Sequence, residues 1–175
     1  NVSNEELIKF LGDKKKPNET DEKNAPDENK NIDISAAIIH IDGGSRGNPG
    51  ISGAGIVVET KEFKKGYYFY TGIKTNNQAE YTGLLKALEI SKKLDLRKIQ
   101  VFTDSQLLCR QINGMYKVEN LNLKSLYLQA KEMIKGFDNF SITHVMREKN
   151  READKMANMA MDKKENNEVE LTVAR

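Results

Sequence analysis

Four carboxylates in this chain occupy positions suited to a ligand site: Asp42 in IIHIDGG, Glu80 in TNNQAEY, Asp104 in VFTDSQ and Asp154 in NREADKM. Asp42 and Asp104 each close an apolar run of strand length and precede a polar or glycine-rich turn. Glu80 and Asp154 each fall in the first turn of an expected helix. In sheets flanked by helices, ligands collect where strands end and helices begin, so acids at such positions can converge on one crevice. Each has a plainer reading alone. Glu80 and Asp154 complement a helix dipole, and Asp42 and Asp104 bond nearby turn backbone. The joint pattern is what singles them out.

The surrounding segments define the elements that would carry these groups. AAIIHI (36–41), GAGIVVE (53–59) and EFKKGYYFYTGI (62–73) read as three strands of an antiparallel meander. Asn76 or Asn77 then caps a helix running to about Lys93, with Tyr81, Leu84, Leu85 and Leu88 on one face. KIQVFTD is a strand, SQLLCRQI a helix closed at Asn113 and Gly114, and 122–135 a further helix ended by Gly136. FSITHVM is the last core strand. NREADKMANMAMDKK places Ala153, Met156, Ala157, Ala160 and Met161 at helical spacing. The order is βββαβααβα. VELTVAR at the end alternates and reads either as an added strand or as a tail.

Composition bounds the class. The chain of 175 residues suits one domain plus tails, with 38% hydrophobic and 31% charged residues, as in a soluble protein. Residues 12–33 are almost devoid of aliphatic and aromatic side chains, so they read as a disordered linker. Ahead of it, SNEELIKFLG has Ser3 and Glu6 at capping-box spacing and reads as one short helix, a frayed tail or a link to an upstream domain or partner. The expected division is therefore 1–34 helix and linker, 35–164 domain, 165–175 tail. The first 34 residues hold nine acidic and six basic side chains, leaving 17 acidic and 22 basic in the remainder. A mildly basic body favours a polyanionic partner without identifying one. No apolar run is long enough to span a bilayer. With Cys109 as the single cysteine and no secretory-type leader, a cytoplasmic monomer is the expectation.

IDGGSRGNPGISGAG, TNNQAEYTGLLKALE, VFTDSQLL and REKNREADKMANMA resemble, in order, the four signature segments of type 1 ribonuclease H. The resemblance covers roughly residues 36–163, and the combination of segments is far more specific than any one. It implies an α/β, ribonuclease H-like fold with a five-stranded mixed sheet flanked by helices. It also implies metal-dependent endonucleolytic hydrolysis of the RNA strand of RNA/DNA hybrids, leaving 5′-phosphate products. Asp42, Glu80, Asp104 and Asp154 would be the catalytic carboxylates, holding two Mg²⁺, or Mn²⁺ in their place. Oxygen ligands suit such hard cations, and no protein nucleophile is required. Gly43, Gly44 and Gly47, with Asn48, Asn77 and Gln106, would meet hybrid sugars and bases, and Thr75 with Asn48 a DNA phosphate.

Two features of the family pattern are missing. The interval MREKNREAD before Asp154 has no histidine, leaving Arg147, Glu148 and Lys149 as candidate substitutes. His144 and His40, inside apolar strands, read as structural. The basic, tryptophan-bearing protrusion after the TDS helix is also absent, so Lys117, Lys124 and Lys131 are the alternative phosphate contacts. Weak, salt-sensitive hybrid binding is expected. The competing readings are a hybrid-binding module with little cleavage and a related nuclease preferring double-stranded RNA.

Overall fold

β1 (Ala36–Gly47), β2 (Gly50–Glu59) and β3 (Lys64–Lys74) form the expected antiparallel meander in the computed structural model, which describes residues 35–172. The helix and linker expected within 1–34 lie outside the described residues. β1 does not stop at Asp42. Its pairing with β2 continues through Asp42↔Gly55, Gly43↔Ala54 and Gly44↔Gly53 to Gly47↔Gly50. The glycines that read as a turn are extended strand, and the reversal comes only at Asn48 and Pro49, joined by a cis peptide. What ends near Asp42 is the other ladder. β4 (Lys98–Thr103) runs parallel to β1 and stops at the pair Ile41↔Thr103.

α1 (Asn76–Lys93) crosses from β3 to β4, and it is capped by Thr75 rather than by either asparagine. Thr75 Oγ1 accepts the Gln78 N–H while Gln78 Oε1 accepts the Thr75 N–H, a reciprocal capping box. Glu80 therefore sits just past the first turn, whose residues include no acid. α2 (Gln106–Ile112) and α3 (Leu121–Ile134) lead to β5 (Asn139–His144), parallel to β4. A 3₁₀ turn (Arg147–Lys149) opens into α4 (Arg151–Lys163). β6 (Asn167–Glu170) then pairs with Lys65–Tyr68 of β3, giving the sheet order β5-β4-β1-β2-β3-β6. The sheet thus has six strands rather than five, and part of the presumed tail is its edge. Val169 packs inward, while Glu168 and Glu170 flank Lys65 at 3.7 and 2.9 Å.

Alternate residues of each strand feed opposite layers. Ala37, Ile39 and Ile41 of β1 and Ile56 and Val58 of β2 face Tyr81, Leu84 and Leu88 of α1, with Leu123 and Ala130 of α3 joining the same core. Burying a side chain such as Leu84 or Leu88, each fully shielded, contributes about 1.5–3 kcal/mol. Val57 and Tyr68 face the other way, onto Ala153, Met156 and Ala160 of α4. A Cβ at Gly55 would lie 2.1 Å from the Ala153 carbonyl oxygen, so α4 rests directly on β2 there. Lys64, itself buried, reaches Glu152 at 2.6 Å and Glu59 at 3.4 Å, tying the start of β3 to the first turn of α4.

Candidate active site

Where β1 parts from β4, three carboxylates meet. Asp42, on the stretch of β1 that has lost its β4 partner, Asp104, one residue beyond β4, and Glu80 of α1 each offer an oxygen, all within 4.8 Å of one another. Asp42 and Glu80 are only 8% and 6% exposed. Asp154, in the first turn of α4, lines the same cleft of about 420 Å³ with Asp42, Gly43, Gly44, Glu80 and Asp104.

Local backbone chemistry sets each position. The Gly43 N–H donates to Glu80 Oε2 at 3.1 Å, so β1 holds the carboxylate of α1 beside that of Asp42. This contact needs a glycine. A Cβ at position 43 would come within 2.3 Å of the Ala79 carbonyl carbon and the Glu80 nitrogen. The turn carrying Asp104 is closed by the Ser105 N–H donating to Thr103 Oγ1 at 3.1 Å, while Ser105 Oγ caps α2 by accepting from Leu108 N–H at 3.3 Å. Asp154 is held differently. Arg147 donates to its Oδ1 at 2.9 Å from the 3₁₀ turn, and the guanidinium is raised above its ordinary pKa by that bond.

The cluster is electrostatically uncomfortable without a cation. Burial, with the nearby Asp104 and Asp154 charges, pushes Asp42 up to about 7, and Arg147 offsets only part of this. Glu80 is also held well above the carboxylate range, by burial first and then by Asp42 and Asp104, against the opposing Gly43 hydrogen bond. Closely placed, partly desolvated carboxylates with no histidine or cysteine lining the cleft are a hard-oxygen donor set, which fits a divalent cation such as Mg²⁺ or Mn²⁺.

The remaining expected site residues divide. Gly43 and Gly44 line the carboxylate cleft, whereas Asn48, Thr75 and Asn77 line a second cleft of about 180 Å³ with Asn76, Gln78, Asn120, Asn122 and Leu123. Asn76 belongs to both clefts, and its N–H donates to Asn48 Oδ1 at 3.1 Å. Gln106 is exposed at the first residue of α2 and lines neither. Nor do Lys117, Lys124 and Lys131, of which Lys131 is bonded to the Ile112 carbonyl at 3.3 Å. His144 is the last residue of β5 and is exposed, lining neither cleft. His40 is part-buried and stacks on Phe102 at 5.2 Å between ring centroids, its pKa lowered by burial to about 4. Arg46, Ser105, Asn158, Asn120 and Asn150 were not singled out from sequence. Asn120 carried a signal, standing before a helical run in VENLNLK, and it caps α3 by accepting from Asn122 and Leu123 N–H.

The mixed sheet with helices on both faces, and carboxylates gathered where β1 and β4 separate, define a domain of the ribonuclease H-like class. The family profile described as "Reverse transcriptase-like" matches residues 40–160. Ribonuclease HI of Halobacterium salinarum is 39% identical over 132 residues, covering 70% of this chain and 63% of that protein. Ribonuclease H of Ruthia magnifica is 34% identical over 146 residues, covering 74% of this chain and 98% of that one. Among solved structures, LC11-RNase H1 in complex with RNA/DNA hybrid superposes with a TM-score of 0.67 at 35% identity, over 73% of this chain and 98% of that one. The chain belongs to the type 1 ribonuclease H family. It spans 63% of the length of the Halobacterium relative.

Proposed function

We propose that this protein hydrolyses the RNA strand of RNA/DNA hybrids at the site built by Asp42, Glu80, Asp104 and Asp154. The observation that carries the proposal is the convergence of three carboxylates from β1, α1 and the β4–α2 turn, their oxygens within 4.8 Å, at the floor of an open cleft. Asp42, Glu80, Asp104 and Asp154 would hold two divalent cations, Mg²⁺ or Mn²⁺, which would supply an activated attacking water and charge neutralisation at the leaving 3′ oxygen.

The chain's own groups place these ligands and the duplex. Asp42 is delivered by the β1–β2 ladder and Glu80 is steered by the Gly43 amide, so two of the four carboxylates are fixed before substrate arrives. Asp154 is the adjustable member, since its partner is a 75% exposed arginine on the preceding turn and not a buried backbone group. Gly43 and Gly44 face the minor-groove sugars, where 2′-hydroxyls distinguish RNA from DNA. Asn48, Thr75 and Asn77, with Asn120 and Asn122, present amide and hydroxyl groups in the second cleft to a phosphate of the DNA strand. Gln106 reaches the duplex only as it lies across the start of α2. The hybrid-bound state of the LC11 relative supports this substrate. Among the described residues no helix is long and apolar enough to cross a membrane. A monomer acting in the cytoplasm is the arrangement proposed.

The test is cleavage of a labelled hybrid with Mg²⁺ and with Mn²⁺, beside double-stranded RNA and double-stranded DNA. Hybrid alone should be cut, with 5′-phosphate ends. Asp104→Asn, which removes charge at nearly constant volume, should abolish cutting and leave the protein folded, with a cooperative melting transition. Equal rates for variant and parent would sink the mechanism.

A further inference from the structure

Asn150 precedes α4 at its N-cap and is 1% exposed, yet its side chain makes no capping bond. An asparagine at this position ordinarily accepts an N–H of the first helical turn through Oδ1. Here Oδ1 is buried without any partner, a state that folded interiors seldom leave uncompensated. The amide nitrogen is spent elsewhere. Nδ2 donates to the carbonyl of Ile41 at 2.8 Å, the residue immediately ahead of Asp42, and stands 3.5 Å from Asp104 Oδ1, at the outer limit of a hydrogen bond. The backbone of the same residue accepts the Asp154 N–H at 3.0 Å and donates to the Arg147 carbonyl at 2.9 Å.

One buried side chain thus touches the backbone before Asp42 and the carboxylate of Asp104, on two segments remote from it in sequence, while the carbonyl of the same residue accepts the first-turn amide of Asp154, as helix-start residues do. An asparagine present to start its helix would turn Oδ1 to the helix and leave its nitrogen to solvent. We infer that Asn150 is a positioning residue of the carboxylate site, its amide turned from its own helix to hold β1, the Asp104 turn and α4 in one geometry. The inference rests on the cation-dependent reading above. Orienting partners of this kind set the affinity of a ligand set without touching the metal. The long contact to Asp104 leaves room to tighten when that carboxylate is drawn to a cation.

The experiment replaces Asn150 with Ser and with Ala in the full chain and titrates each with Mn²⁺ calorimetrically, without nucleic acid. Serine is as good an N-cap as asparagine, so Asn150→Ser keeps the helix start while being too short to span Ile41 and Asp104. Both variants should bind Mn²⁺ about tenfold or more weakly. In hybrid cleavage, kcat should fall while KM stays near the parent's, because the residue lines no duplex-facing surface. A merely structural role predicts a lower melting temperature with unchanged Mn²⁺ affinity in the folded protein. A dissociation constant within twofold of the parent's in Asn150→Ser overturns the inference, even if Asn150→Ala does not fold. A parent that cuts hybrid beside unaffected variants overturns the inference alone, whereas a parent that neither binds Mn²⁺ nor cuts overturns the hybrid-nuclease reading with it.

Discussion

Arg147 lies 2.9 Å from Asp154 Oδ1, so a half-exposed carboxylate of the site carries a counterion supplied by the turn that leads into its own helix. The pair is largely solvated, with side chains 75% and 31% exposed, and such contacts contribute about 0–1 kcal/mol. Its consequence is competition more than stability. A cation approaching Asp154 must displace the guanidinium or share the carboxylate with it. Arg147→Ala should therefore tighten Mn²⁺ binding in the free protein by about two- to fivefold, the equivalent of one exposed ion pair. Titration calorimetry checks this, and weaker binding would show that the guanidinium helps to build the site.

Stability of the metal-free protein should depend on pH in an unusual direction. Asp42 titrates near 7 in the folded protein against an ordinary 3.8, and Glu80 is displaced the same way. A raised carboxylate binds more protons folded than unfolded, so its contribution is fully present below the ordinary value and is lost as pH rises through about 7. Melting in EDTA should occur at lower temperature at pH 8 than at pH 5.5. Millimolar Mg²⁺ or Mn²⁺ should restore the loss at pH 8. Asp42→Asn should flatten the EDTA profile, and a variant that keeps the parent's slope would assign it to other groups.

Gly43 and Gly44 are adjacent, but adding a methyl group should affect them differently. A Cβ on Gly43 meets α1 backbone at 2.3 Å, whereas one on Gly44 meets the flexible end of Met161 at 3.2 Å. Gly43→Ala should cost about 1–3 kcal/mol, or more where the backbone must move, and should displace Glu80 with loss of cleavage. Gly44→Ala should stay close to the parent in denaturant unfolding. Similar midpoints for the two would mean that α1 is free to back away.

The edge strand offers a test of the domain boundary. A chain ending at residue 164 lacks β6, and with it the ladder to Lys65–Tyr68 and the Val169 side chain packed beside Met156. It should still fold and cut hybrid, since nothing in β6 lines the carboxylate cleft, but with a lower urea midpoint than a chain ending at 172. A shorter chain that fails to fold would make the sixth strand part of the core fold.

Much of the order of elements was legible because each strand and helix of the core has its own hydrophobic period, as in AAIIHI and in the Tyr81, Leu84, Leu88 face. The departures have separate causes. Glycine reads as a turn, yet Gly43 and Gly44 are extended in the ladder with β2, and α1 and Met161 lie where a side chain would stand, a tertiary reason for glycine invisible along the chain. Thr75 and Gln78 form a capping box that TNNQ spells out, but the two asparagines between them drew the assignment. β6 is four residues long and gains its partner only from β3, so its weak alternation left strand and tail equally open. In the site, the carboxylates stood out through their joint pattern. Asn150 did not, since a helix-capping asparagine looks the same in sequence whether its amide serves its own helix or its neighbours.

The separation of the two ladders at Thr103 also divides the site by amide exchange. Asp42 hangs from backbone paired to β2 on both sides of it, a region that opens only with the sheet as a whole. Asp104 and Asp154 hang from the first residues after a strand and of a helix, where local opening is easier. Exchange should thus be slow at 41, 42 and 44 in all conditions and should respond to divalent cations mainly at 43, whose N–H donates to Glu80, and at 104–106 and 147–154. In the proposed cation site, one half of the carboxylates would then be a rigid template, and the other half a pair of arms that order around the captured ion.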